Sequence, residues 1–123
     1  MFKLAPNASF TYPVKVETIT NGGAVRKDTF TVTFKRLSTS EVTDWITRFT
    51  DSSRESPEAA IQTARELAHA VVQDWSDITS LDGSPLSFST DALSQALDVH
   101  PVPTAIASAW LEAVNGGAKR KNL

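Results

Sequence analysis

The chain has 123 residues, 41% of them hydrophobic and 21% charged, with a formal net charge of −2. That length supports one core without covalent staples, and so small a charge gives no global pull toward nucleic acid or anionic lipid. The sequence contains no cysteine, which excludes disulfide frameworks, thiolate zinc sites and cysteine nucleophiles.

The opening Met1-Phe2-Lys3-Leu4-Ala5-Pro6-Asn7 is too short and too polar for a signal peptide. No apolar run approaches the ~20 residues needed to span a bilayer, so the expectation is a protein that stays where it is made. Residues 9–19 alternate: Phe10, Tyr12, Val14 and Val16 face one way, Ser9, Thr11, Lys15 and Glu17 the other. A period of two marks a strand with one buried face. Asn21-Gly22-Gly23 tolerates the positive φ angles of a primed hairpin turn. Phe30, Val32 and Phe34 then alternate with threonines and Lys35, so residues 9–36 are expected to form a β-hairpin. Pro13 lacks a ladder donor, which places the first strand at an edge or at a bulge.

Ser38-Thr39-Ser40-Glu41 fits a capping box. The helix it starts aligns Val42, Trp45, Ile46 and Phe49, and the aperiodic polar run Thr50 to Glu55 reads as a loop. Ser56-Pro57 opens the next helix. Its apolar residues, from Ala60 to Trp75, keep 3-4 spacing through nearly five turns. Ile78, Leu81, Leu86 and Phe88 flank Asp82-Gly83 and predict a short irregular hairpin at 77–88. Ser89 or Thr90 caps a brief helix carrying Leu93 and Leu97, which stops before His100-Pro101. A last helix is expected from about Thr104 to Val114, ended by Gly116-Gly117. The fold class is therefore α+β. The N-terminal hairpin packs against four to five helices, with residues 1–117 as one domain and 118–123 as a short basic flexible tail.

No arrangement of residues here carries catalysis. His69 lies on the polar face of the long helix and His100 precedes a proline, and neither has the partners of a metal or acid–base site. Asp74, Asp77 and Asp82 lack the alternating pattern of a calcium loop, and Asp82-Gly83 is turn chemistry. There is no Gly-x-Ser-x-Gly elbow and no phosphate loop. The expectation is no enzyme, no cofactor and no metal. Trp45, Trp75 and Trp110 are in phase with apolar stripes, which favours core packing. The competing reading gives one of them, Trp75 foremost, a share in a partner surface. Lys119, Arg120 and Lys121 form the only basic run, either solvated or a protein-docking tail.

Several pieces in order resemble the tail assembly chaperones of long-tailed bacteriophages, in their short form. These are Met1-Phe2-Lys3-Leu4 leading into a strand, Asp74-Trp75 at a helix end, and Asp82-Gly83-Ser84-Pro85-Leu86. Phe88-Ser89 then precedes the Leu93/Leu97 helix, and Ala105-Ile106 with Ala109-Trp110-Leu111 leads to Gly117-Ala118-Lys119-Arg120-Lys121-Asn122. The resemblance implies a non-enzymatic protein that binds and solubilises the tape measure protein and helps recruit the tail tube protein. It implies action in the cytoplasm of the infected host and absence from the mature virion. Some members also exist as a longer, frameshifted form. The expected partner surfaces are the hairpin edge (Thr11, Tyr12, Val14), Trp75, Leu97, Trp110 and the tail Lys119, Arg120 and Lys121, with self-association through the strand edge. Neither nucleic acid nor membrane is expected as a partner. The alternative is a structural virion subunit such as a tail terminator or head–tail connector. A small hydrolase would need a convergent polar pocket that the sequence does not display.

Overall fold

A computed structural model describes residues 2, 4 and 8–116. The architecture is α+β: one three-stranded antiparallel sheet of order β1-β2-β3 and four helices. The hairpin forms as the alternation predicts, with β1 at Ser9–Ile19 and β2 at Val25–Lys35 in unbroken register from Ser9↔Lys35 to Ile19↔Val25. Its connection is longer than a two-residue primed turn. Five residues, 20–24, form the loop, in which Thr20 donates to the Ala24 carbonyl and Gly23 to that of Thr20. Gly22 and Gly23 do take the positive φ values the composition favoured, +83° and +84°.

Helix α1 spans Thr39–Glu55 behind the expected capping box: the Ser38 hydroxyl accepts from Glu41 N–H, and the Glu41 carboxylate accepts from Ser38 N–H. The loop expected at 50–55 is instead the last turn and a half of this helix. Thr50 Oγ1 donates back to the Ile46 carbonyl and Ser52 Oγ to that of Phe49, so the hydroxyls are satisfied inside the helix. Ser56 then serves two helices. Its N–H closes α1 on the Ser52 carbonyl, and its hydroxyl caps α2 by accepting from Ala59 N–H.

Helix α2 covers Pro57–Val71, one turn shorter than expected. The backbone passes without a linker into a third strand, β3, at Val72–Ser76. Val72 N–H still bonds the Ala68 carbonyl of α2, while Val72 pairs with Phe34 of β2. Trp75 therefore ends no helix. It pairs with Val32, buries all but 7% of its surface, and donates Nε1–H to the Leu86 carbonyl at 2.8 Å. The expected irregular hairpin follows. Thr79 pairs with Pro85, Leu86 N–H bonds the Ile78 carbonyl, and Phe88 meets Trp75 edge-on at 5.1 Å. Ser89 caps α3, Thr90–Leu97, and α4 runs Val102–Val114, starting two residues before the predicted Thr104. Residues 117–123, including the predicted basic tail, lie outside the described residues.

The core sits on one face of the sheet. Val14 and Val16 of β1, Phe30, Val32 and Phe34 of β2, and Val72 and Trp75 of β3 are buried there. Ala64, Leu67, Ala68 and Val71 of α2, Leu93 and Leu97 of α3, and Ile106 and Trp110 of α4 complete it. Helix α4 packs on β1 and α2, whereas α1 packs chiefly on α2. The opposite face of the sheet, with Thr11, Lys15, Glu17, Thr29 and Asp74, is exposed, the usual arrangement for a sheet solvated on one side.

Candidate functional site

Surface chemistry here begins with the sheet edges. At the two ends of the hairpin ladder, Arg36 donates to the Ala8 carbonyl and Thr20 to the Ala24 carbonyl. Antiparallel pairs alternate between bonded and non-bonded, so the even-numbered residues of β1 bond to β2. The backbone groups of Ser9, Thr11, Pro13, Lys15 and Glu17 turn to the open edge. Pro13 removes one donor from the middle of that edge, and Lys15 adds an exposed charge beside it. Both features blunt strand addition. Tyr12 is further engaged by α4, donating its hydroxyl to the Glu112 carboxylate. The other edge, β3, is only five residues long and is bulged where Phe34 faces Val72 and Thr33 faces Asp74. The hairpin edge expected to mediate self-association is thus a poor template, and so is its counterpart.

Among the described residues, two apolar surfaces stand out. The first is the stripe of α1: Val42, Trp45, Ile46 and Phe49 are all half-buried, and Ser52 is the helix's one buried residue. Arg48 lies over the Trp45 ring at 4.2 Å and pairs with Glu66 of α2, which fixes the indole at the surface. The second is an open groove of about 870 Å³ between the hairpin, the 77–86 loop and the α3–α4 junction. Val16, Phe30 and Val102 floor it, and the exposed Leu81 and Val99 stand at its lips. Ile19 and Val25, also exposed, pair with each other near the hairpin tip on the opposite face of the sheet. Asp28, paired with Arg26 at 2.9 Å, and Asp77 and Asp82 give the groove a polar rim.

The rim loop is held by Asp82. Its carboxylate accepts from the Ser80 hydroxyl and from both the hydroxyl and the N–H of Ser84. These bonds, the Ser84 hydroxyl first, lower the carboxyl to about 2. The Ser38 backbone N–H, then the Ser38 hydroxyl, lowers Glu41 in the capping box. Asp74 accepts from its neighbour's N–H, that of Trp75. Turn and cap chemistry therefore accounts for Asp74, Asp82 and Glu41. His69 and His100 are exposed and far apart in sequence. Among the described residues, no group of three or more His, Asp or Glu side chains could hold a metal ion. No described helix is long and apolar enough to cross a membrane.

Of the residues expected to meet a partner, Val14, Trp75, Leu97 and Trp110 are core residues with at most 7% of their surface exposed. They present no side chain to a partner in this fold, because the sheet face and α4 require them inside. Thr11 is exposed and Tyr12 half-buried at the β1 edge. Lys119, Arg120 and Lys121 lie outside the described residues. The exposed apolar residues Leu81, Val99, Ile19 and Val25 were missed. Leu81 and Val25 flank turn residues, the one signal that could have marked them as surface. Family models, curated proteins and solved structures were each compared with this protein, and none matches.

Proposed function

We propose that this protein is a non-enzymatic tail assembly chaperone of a long-tailed phage. It holds amphipathic segments of the tape measure protein in the host cytoplasm, helps bring tail tube protein to them, and leaves before the virion is complete. The observation that carries the reading is the stripe of α1, where Val42, Trp45, Ile46 and Phe49 pack against the core yet all stay partly exposed. Such a stripe beside α2, together with an apolar groove to which α1 contributes no residue, suits helix-in-groove binding. The blunted edges argue that the client is held by side-chain packing, not by strand addition. Individually weak contacts of this kind become effective when many copies line one long client. The order of motifs from Met1-Phe2-Lys3-Leu4 to Asn122 supports the same family.

Co-expression with the tape measure protein tests the reading. A soluble complex is expected, and Trp45→Ala should return the client to the insoluble fraction while the variant itself stays folded. A client that is equally insoluble with or without this protein, and never co-purifies, would overturn the proposal. Mass spectrometry of finished particles separates the alternative: a stoichiometric amount in the virion would make this a structural subunit.

A further inference from the structure

Three Asx-Gly pairs occur in the sequence: Asn21-Gly22, Asp82-Gly83 and Asn115-Gly116. In each, glycine lacks the Cβ that would hinder attack of its own amide nitrogen on the preceding Asx Cγ. All six residues are exposed. They differ in what holds the attacking nitrogen. Gly116 N–H donates to the Ala113 carbonyl at 3.0 Å, and Asn115 N–H to that of Leu111 at 3.2 Å, so this pair is built into the end of α4. Gly83 N–H donates to the Ser80 carbonyl at 2.9 Å, and the Asp82 carboxylate is tied by its bonds to Ser80 and Ser84. At the hairpin tip the loop bonds run from Thr20 to Ala24 and from Gly23 to Thr20. Among the described residues, the Gly22 N–H meets no acceptor.

We infer that Asn21 is the site of spontaneous covalent modification in the folded protein, by loss of its terminal amide to the Gly22 nitrogen. The Gly22 nitrogen gives its proton to solvent base and attacks Cγ of Asn21. The Cγ–Nδ2 bond breaks, ammonia leaves, and a five-membered succinimide closes. Water then adds to either ring carbonyl, and the ring opens to aspartate or isoaspartate. The sum is amide plus water to carboxylate plus ammonium, with no oxidant or reductant. The product adds one negative charge to a protein already at −2. When it is isoaspartate, it also adds a backbone methylene to the turn that sets the hairpin. The five-residue loop has open space around Gly22 and Gly23, so the ring can close without displacing a neighbour.

The test follows the full-length protein in mildly alkaline buffer at growth temperature, folded and in strong denaturant, by peptide mass mapping. In the folded protein, Asn21 should convert several-fold faster than Asn115, with no isoaspartate at Asp82. In denaturant the two asparagines, both followed by glycine, should convert at similar rates. Asn21→Gln should abolish the fast species and leave the slow one, because closure from glutamine needs a larger ring. Asn115 leading or matching Asn21 in the folded protein would overturn the inference. So would a ratio that is the same in denaturant, since the preference would then come from sequence and not from the fold.

Discussion

Helices α4 and α1 are both amphipathic, yet the molecule uses them in opposite ways. Helix α4 buries Ile106 and Trp110 completely or nearly so, against β1 and α2. Helix α1 is four residues longer, has a well-made cap, and buries none of its apolar side chains fully. Helical signal and contribution to the core are therefore separate properties. A strong amphipathic pattern says that one face avoids water, but not whether the same polypeptide or another one covers it. For α4 the cover comes from within the fold. For α1 it does so only in part, along α2.

The sharpest way to test that contrast is to truncate the two tryptophans. Trp110→Ala should cost about 3–5 kcal/mol through loss of burial and the cavity left behind, seen as a lower urea midpoint in equilibrium unfolding. Trp45→Ala should cost less, about 2 kcal/mol, since the indole is only partly buried. Its larger effect should be on client solubility. Equal losses of stability at the two sites would mean that α1 is as much part of the core as α4.

A second test concerns the junction that holds α1 against α2. Ser56→Ala removes the α2 cap while leaving the backbone bond that ends α1, so a loss of about 1 kcal/mol is expected in thermal or urea unfolding. No change would mean that packing alone positions the helix pair. The smallest effect should come from Arg48→Ala. It removes the ion pair to Glu66 and the contact over Trp45, both at the surface, and should change stability by less than about 1 kcal/mol. A larger change would show that this corner behaves as interior.

Acid sensitivity should belong chiefly to the groove rim, with a further share from Glu41 in the capping box of α1. Asp82 titrates at about 2 when folded, below its unfolded value. Its contribution is therefore fully present above the ordinary carboxylate range and is lost as pH falls through about 2. Asp82→Asn should flatten the lower end of the stability–pH profile measured by circular dichroism and leave neutral pH nearly unchanged. An unaltered acid limb would mean that the Ser80 and Ser84 bonds do not persist in solution.

The hairpin, the capping box, the Ser56-Pro57 start, the Ser89 cap and the 77–88 excursion were legible because each rests on local chemistry. The third strand was not. A regular strand would bury residues two apart, but the bulge beside Gln73 puts Val72 and Trp75 opposite Phe34 and Val32. Three-residue spacing of buried side chains is the helical signature, so the strand continued the pattern of α2 without a break. The tail of α1 failed for the opposite reason. Its polar residues carry no period, and hydroxyls bonding back to the preceding turn keep the helix going. Partner surfaces were read from apolar spacing, which favours Trp110 and Leu97. Spacing alone does not distinguish a residue the fold consumes from one it leaves outside.

The direct passage from α2 into β3 has a mechanical consequence. Val72 is bonded to Ala68 on one side and registered with Phe34 on the other, so no slack residue lies between helix and strand. A tug on the α1–α2 pair would be delivered to the sheet as torque instead of being absorbed by a swivel. Cargo pulling on one side would be felt at the hairpin, where Val32 and Phe34 are gripped, much as a stiff crank passes on the motion of its handle.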